Sequence, residues 1–248
     1  MARSRRPMRR PDPLSSFASF VVYAGLVAFT AGMGYRIYQW LSTPRSEVKL
    51  ALFPKPETQS GLITKVVTDT LCAPHSREIE PVMWAASFAW HAAALAAFAG
   101  HLRLVAEFTP LQLVLGRKGL DRVGGAAGSA AGAVMTASTL YWLGRRFKDP
   151  YKAISVPEDY ILLLLLLGVE LTGDHMRLRG DVPAEAYRGW FRRTLALDPA
   201  FPAELAESPS RWSLDAHMLS VGALLAYFPW SKLTHVIGAF LSNTLRSE

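Results

Sequence analysis

Long apolar runs alternate with short charged segments along this chain. Several runs approach the roughly 20 residues that a helix needs to cross a bilayer. The pattern therefore predicts an all-α membrane protein in which five transmembrane helices form one bundle, and we treat residues 1–248 as a single domain. The predicted spans cover about 17–41, 81–108, 123–143, 158–173 and 215–241.

Local features qualify three parts of this pattern. The third span carries glycines four residues apart between Gly124 and Gly132, a spacing that predicts close helix packing. Pro229 interrupts the fifth span. In the polar segment after the first span, apolar residues recur at helical spacing between Ile63 and Leu71. They predict a short amphipathic helix on the membrane surface or on a partner.

Histidines occur inside two of the predicted spans: His91 and His101 in the second, and His217 and His235 in the fifth. A polar ionisable side chain in a bilayer is costly and usually functional. Three crossings separate these spans, so they run antiparallel, and His91 then lies at the depth of His235 and His101 at the depth of His217. Two pairs at different depths match bis-histidine haem ligation.

The spacings within the two spans differ. His91 and His101 are 10 residues apart and His217 and His235 are 18 apart, which corresponds to about 15 Å and about 27 Å of straight helix. Helix tilt and the break at Pro229 have to absorb this difference. Zinc is the weaker alternative, because pairs at two depths do not make one tetrahedral site.

Composition narrows the function classes. Charged residues make up 19% of the chain, less than in ordinary soluble domains, and 50% of residues are hydrophobic. The net charge of +7 comes from Lys and Arg that flank the apolar runs, so it indicates membrane anchoring rather than nucleic-acid binding. Cys72 is the single cysteine. It excludes covalent haem attachment through CxxCH and assigns any iron–sulfur cluster to a partner.

At its histidines the sequence resembles the haem b membrane subunits of the respiratory nitrate reductase gamma family. The matching stretches are WHAAALAAFAGHLRLVAEFTP, GSAAG followed by LGRRF, and AYFPWSKLTHVIGAF. The likeness runs from about residue 84 to 240. Within the family, SVPEDYILLLLLLG and the KPETQSGLITK loop are most similar to the cytochrome b of the sulfite-reductase-associated (Dsr-type) electron-transfer complex.

The resemblance implies two haems b as cofactors, one held by His91 and His235 and the other by His101 and His217. It also implies menaquinol or ubiquinol exchange near one haem and an iron–sulfur partner near the other. In Dsr-type members this partner is a heterodisulfide-reductase-like protein on the cytoplasmic side. The expected function is that of a quinol-oxidising electron-transfer subunit in a bacterial or archaeal cytoplasmic membrane, with terminal catalysis in partner subunits.

Further charged residues are candidates for supporting roles. Lys118 or Arg122 is expected at the quinone site, since family members use a basic residue in this connection. Arg103 and Lys232 are candidates to neutralise haem propionates, and Glu170 is either a proton relay or a hydrogen-bonded structural carboxyl group. Glu107 and Asp215 are weaker quinone-site candidates, and His75 and His175 are expected in or beside loops.

Two questions stay open at this level. The distribution of Lys and Arg favours a cytoplasmic N-terminus, whereas the family resemblance implies an external one. The alternatives to a Dsr-type subunit are the gamma subunit of a nitrate reductase and, more remotely, a non-redox membrane anchor or transporter. A transporter would be expected to show internal repeats or broken helices at a midplane site.

Overall fold

The computed structural model describes residues 13–44, 56–106, 109–198 and 200–246, and in these ranges the chain is helical with no β-strand. The all-α prediction is confirmed. The helices are α1 (Pro13–Ser42), α2 (Gln59–Leu71), α3 (Pro74–Ile79), α4 (Pro81–Leu102), α5 (Thr109–Arg145), α6 (Pro157–Arg179), α7 (Ala184–Leu195), α8 (Ala203–Ala206), α9 (Arg211–Tyr227) and α10 (His235–Arg246).

Local sequence signals explain several helix ends. α4 and α6 begin at prolines, whose fixed φ suits the first helical position. α6 ends at Gly180, which adopts the left-handed conformation with φ 59° that glycine tolerates best. In α2, the Thr58 hydroxyl caps the first turn by accepting from the Gly61 amide at 3.1 Å.

The predicted spans correspond to helices, with corrected bounds. The second helix ends at Leu102 instead of 108, and residues 107–108 lie outside the described residues. The third is much longer than predicted, because α5 already begins at Thr109 and continues past an irregular residue, Gly116 (φ 67°, ψ 166°). The fourth, α6, continues six residues beyond 173.

The fifth predicted span is not one helix. α9 ends at Tyr227, and two short 3-10 turns, Phe228–Trp230 and Lys232–Thr234, precede α10. Pro229 lies in the first turn and Ser231 between them is extended. This break makes His235 the first residue of a separate helix.

Two of the described helices, α1 and α4, are long and apolar enough to cross a membrane by length and composition. The amphipathic helix predicted between Ile63 and Leu71 is α2, and it leaves Ile63 and Leu71 exposed to the outside of the fold. α10 packs against α2.

The long helices pack in a series: α4 against α5, α5 against α6, α6 against α9, and α9 against α1. The closest approach joins α1 to α9, where a Cβ on Gly25 would lie 2.3 Å from the Gly222 carbonyl oxygen. α4 and α9, the first and fourth helices of this series, share no comparable interface among the described residues. Within the described residues, α5 and α6 therefore link α4 to α9.

A polar module closes one end of the bundle. The segment between α6 and α9, which carried no predicted motif, forms α7 and α8 over a small apolar core that includes Trp190, Phe201 and Leu205. Arg188 and Arg192 of α7 donate to the backbone carbonyls of Arg103 and Val105, at 3.0 Å and 2.7 Å. α7 therefore fixes the connection between α4 and α5.

Candidate functional site

The two histidines of α4 have the same local geometry. Nδ1 of His91 is 2.7 Å from the carbonyl oxygen of Ser87, and Nδ1 of His101 is 2.8 Å from that of Ala97. A carbonyl oxygen can only accept, so both Nδ1 atoms must carry the proton and donate it. Each ring is thereby fixed in orientation through Nδ1, which leaves Nε2 as the ring nitrogen that could ligate a metal.

Each α4 histidine faces one histidine from the C-terminal helices. The rings of His91 and His235 have centroids 5.9 Å apart at an interplanar angle of 79°, and those of His101 and His217 are 6.5 Å apart and nearly parallel, at 9°. These are the two pairs expected from the antiparallel arrangement. The break after Tyr227 removes the mismatch between the spacings of 10 and 18 residues, because His235 does not continue the axis of α9.

The partner histidines are also anchored through Nδ1. His235 Nδ1 is 2.8 Å from the Lys232 carbonyl oxygen. His217 Nδ1 is 3.0 Å from the Val169 carbonyl oxygen and 3.1 Å from the Thr172 hydroxyl, both on α6. All four rings therefore leave Nε2 as the available ligand atom.

The separation within each pair suits one metal atom between two imidazoles. Two metal–nitrogen bonds of about 2 Å each, with the half-width of each ring added, give a centroid separation of roughly 6 Å. Leu95 and Phe98, between the two histidines of α4, are 72% and 65% exposed, so the α4 surface between the two pairs is apolar and accessible. The residues therefore fit a bis-histidine macrocycle at each pair.

The predicted quinone-site residues lie at the His101–His217 end. Lys118 and Arg122 are exposed, one turn apart near the start of α5. Arg103, two residues after His101, donates to Asp121 Oδ1 at 2.8 Å. Arg103, Lys118 and Arg122 thus place cationic side chains at the end of α4 and the start of α5. Asp215 does not join it, since it is 3% exposed and accepts a hydrogen bond from Ser15 at 2.7 Å.

The remaining predicted residues have structural partners. Lys232, next to the His91–His235 pair, forms an ion pair with buried Asp159. His175 lies inside α6, not beside a loop, and its ring packs on Trp212 with centroids 4.8 Å apart. His75 is exposed on α3. Glu107 lies outside the described residues.

The sequence pattern gave no indication that charged side chains of α6, Asp174 and Arg177, lie against the glycines of α5. A Cβ on Gly132 would lie 1.7 Å from Asp174 Oδ1, and one on Gly128 would lie 2.6 Å from an Arg177 nitrogen. The glycines are therefore approached closely, as predicted, but by side chains of α6 and not by a helix backbone. The tight helix contact is instead between Gly25 and Gly222.

At the opposite end of α4, a cleft of about 540 Å³ lies between the start of α4 and the end of α5. Arg145 crosses it, forming an ion pair with Glu80 at 2.5 Å and placing its guanidinium 3.6 Å from the Tyr151 ring centre. Lys148 also lines the cleft. This cleft is on the His91–His235 side and distant in sequence from Lys118 and Arg122.

Comparison with known proteins identifies the family. Residues 78–247, which include all four paired histidines, match the family described as nitrate reductase gamma subunit. A similar protein is the "Hdr-like menaquinol oxidoreductase cytochrome b-like subunit" of Archaeoglobus fulgidus, 31% identical over 112 residues, or 45% of this chain. The match spans 33% of that protein's length. The chain belongs to the nitrate reductase gamma subunit family.

Proposed function

We propose that this chain is a membrane cytochrome b that binds two haems b and carries electrons from a quinol to a partner subunit. The observation that carries the proposal is that the four histidines form two facing pairs. The ring centroids lie 5.9 Å apart in one pair and 6.5 Å apart in the other, and each ring is anchored through Nδ1. Family membership and the name of the Archaeoglobus relative support it. Haem, when bound, supplies one-electron redox chemistry at each pair.

The protein's contribution is to orient the ligands. The carbonyl groups of Ser87, Ala97, Val169 and Lys232 hold the four rings. Carbonyl acceptors on Nδ1 raise the basicity of Nε2, which strengthens ligation. The pairs lie one after the other along α4, so electrons would pass from one end of the bundle to the other.

We assign quinol to the His101–His217 end. Quinol oxidation releases two protons, and polar groups must orient the head group and accept them. The exposed Lys118 and Arg122 supply cationic donors there. The name of the relative makes menaquinol the first quinol to test. Arg103 remains a candidate propionate partner, and Lys232 a weaker one because it already pairs with Asp159.

The His91–His235 end then faces the electron acceptor, which we propose to be an iron–sulfur subunit of the heterodisulfide-reductase-like kind. The name "Hdr-like" of the Archaeoglobus protein supports a partner of this kind. A Dsr-type role in sulfur metabolism is part of the proposal and rests on the sequence resemblance alone. The family match equally supports a second candidate, the gamma subunit of a nitrate reductase. Co-purification from the native bacterial or archaeal cytoplasmic membrane separates the two by the partner subunits recovered. We retain five membrane-crossing helices as part of the proposal, with α1 and α4 as its direct support.

Haem content tests the proposal. A pyridine haemochrome assay on the purified chain should give two haems b. His101→Ala and His217→Ala should each remove the same low-spin component from the reduced-minus-oxidised spectrum, and His91→Ala and His235→Ala the other. His75→Ala is the matched control, since this exposed imidazole belongs to neither pair. A wild-type chain without haem would refute the function, and retention of both haems after His101→Ala would refute the pairing.

The quinone site is tested separately. Lys118→Ala and Arg122→Ala should slow reduction of the haems by menaquinol analogues without changing haem content. Lys148→Ala, at the cleft on the opposite end, is the control and should leave the rate unchanged. The reverse pattern would move the quinol site to that cleft.

A further inference from the structure

Glu170 is the one carboxyl group that the described bundle buries between its two histidine pairs. Its side chain lies on α6 and is 6% exposed. Oε1 accepts hydrogen bonds from Trp90 Nε1 and from the Thr139 hydroxyl, both at 2.9 Å. Oε2 is buried with no hydrogen-bond partner in the described structure. An unpaired buried oxygen is costly when it carries charge, so this position is unfavourable for a permanently ionised carboxylate.

The location of Glu170 connects it to both pairs, through one intermediate residue each. The Trp90 ring, which donates to the carboxyl group, lies 5.2 Å from the ring of His91. On the other side, the carbonyl of Val169, the residue before Glu170, holds His217. A charge at Glu170 would therefore act on both candidate redox centres through a medium of low dielectric constant.

A row of polar groups leads from Glu170 towards the surface along the glycines of α5. One helical turn beyond Glu170, Asp174 accepts from the Thr136 hydroxyl at 3.0 Å and fills the space above Gly132. Arg177 lies over Gly128. Arg103 lies over Gly124, the third glycine, and bonds to the exposed carboxylate of Asp121.

The three glycines leave space on α5 for these charged side chains. Any side chain at these three positions would displace the charged groups above them, because a Cβ would approach their atoms to between 1.7 and 2.6 Å. Polar side chains spaced along one helix give water or a proton stopping points on the way to a buried acid.

We propose that Glu170 is a redox-linked proton-binding group: it takes up one proton from solvent, along the α5 glycine groove, when an electron enters the bundle. The inference rests on the proposed function. The electron comes from a quinol and the proton from water at the Asp121 end. When the electron leaves for the acceptor, the carboxyl group releases its proton by the same route, so charge in the interior stays balanced.

The titratable groups that face Glu170 determine which charges affect its proton affinity. Asp174, one turn along the same helix, is the neighbouring carboxyl group. From α4 the neighbouring titratable group is His91 behind Trp90, and from α9 it is His217 behind Val169. Thr139 of α5 contributes an uncharged donor. An added electron on either pair therefore acts on Glu170 as a further negative charge nearby.

Potentiometric titration of the haem-loaded protein at several pH values tests the inference. The wild-type haem midpoint potential should fall as pH rises, because reduction consumes a proton. Glu170→Gln keeps the size of the side chain and its acceptor for Trp90 and Thr139 but cannot ionise, so its midpoint potential should be higher and independent of pH. Glu158→Gln, in the exposed first turn of the same helix, is the control and should behave as wild type.

Redox-induced infrared difference spectra give a second readout. Reduction of the wild type should produce the carbonyl-stretch band of a protonated carboxyl group, sensitive to D₂O and absent in Glu170→Gln. If Glu170→Gln does not fold, Thr139→Val decides the assignment, because loss of one hydrogen bond to Oε1 should shift that band. A wild-type potential that does not vary with pH, or a band that Glu170→Gln and Thr139→Val both leave unchanged, would overturn the inference. Absence of haem from the wild type would instead refute the proposed function.

Discussion

The contact between Gly25 and Gly222 provides a quantitative test of how the helix carrying His217 is positioned. α1 and α9 approach so closely that a Cβ on Gly25 would lie 2.3 Å from the Gly222 carbonyl oxygen and 3.0 Å from its carbonyl carbon. Non-bonded contacts normally begin near 3.5 Å, so Gly25→Ala forces the helices apart by roughly 1 Å. Both neighbouring atoms are backbone, and no side-chain rotation can relieve the clash.

The expected cost follows from this displacement. Overpacking a close contact costs typically about 1–3 kcal/mol. Gly34→Ala is the matched control on the same helix, because nothing lies within 4 Å of its Cβ position. The control should be neutral or gain up to about 1 kcal/mol from the higher helix propensity of alanine. The two variants therefore differ in the sign of their effect on stability.

Thermal unfolding in detergent, followed by far-ultraviolet circular dichroism, measures this difference. Gly25→Ala should also weaken the haem signal assigned to His101 and His217, since His217 lies five residues before Gly222 on α9. The signal of the other pair should be less affected, because His235 is on α10. Equal stability of Gly25→Ala and Gly34→Ala would refute the close contact between α1 and α9.

Three further predictions address single contacts. Thr172→Val leaves His217 Nδ1 with the Val169 carbonyl alone, so haem retention at this pair on detergent dilution should weaken by up to about tenfold. Ser15→Ala removes the hydroxyl between buried Asp215 and Arg211 and should lower the free energy of unfolding by about 1–3 kcal/mol, whereas exposed Ser42→Ala should not. Hydrogen bonds from Ser210 and then Ser208 lower the pKa of Asp181. The stabilisation that they give is therefore present above the ordinary Asp pKa and is lost as the pH falls through the lowered pKa. Ser210→Ala should weaken this loss of stability at acid pH, measured by unfolding at several pH values.

The sequence predicts the helices and which histidine rings lie close together, for a physical reason, whereas haem ligation by these rings stays a prediction. Apolar periodicity and the cost of burying an imidazole are properties of single segments, and the antiparallel pairing follows from counting crossings. The helix bounds are less accurate where charged residues extend a helix, as in α5 from Thr109 and in α6 beyond residue 173. Charge lowers hydropathy without opposing helix formation, so a hydropathy pattern misses these ends.

Contacts between residues distant in sequence could not be predicted. Arg188 and Arg103 are 85 residues apart, and nothing in either segment indicates that one donates to the other's carbonyl. The glycines of α5 are the more instructive case. Their spacing correctly indicated that something approaches the helix closely, but the approaching groups are the side chains of Asp174, Arg177 and Arg103. A small-residue motif specifies a space, and only the fold determines what occupies it.

The break after Tyr227 explains how two unequal sequence spacings give two histidine pairs. On one straight helix, His217 and His235 would be separated by about 27 Å, whereas the histidines of α4 are about 15 Å apart. The 3-10 turns around Pro229 end the axis of α9, and His235 starts α10 with its ring held by the carbonyl of Lys232 in the preceding turn. The irregular segment thus has two effects: it brings His235 close to His91, and it supplies the carbonyl that holds Nδ1 of His235. On α4 the regular helix supplies this acceptor itself, because the carbonyl four residues earlier holds Nδ1. All four rings are therefore held through Nδ1, although the acceptor carbonyl lies in the same helix, in a neighbouring helix or in a 3-10 turn. Such agreement is expected if all four histidines must offer Nε2 to a metal.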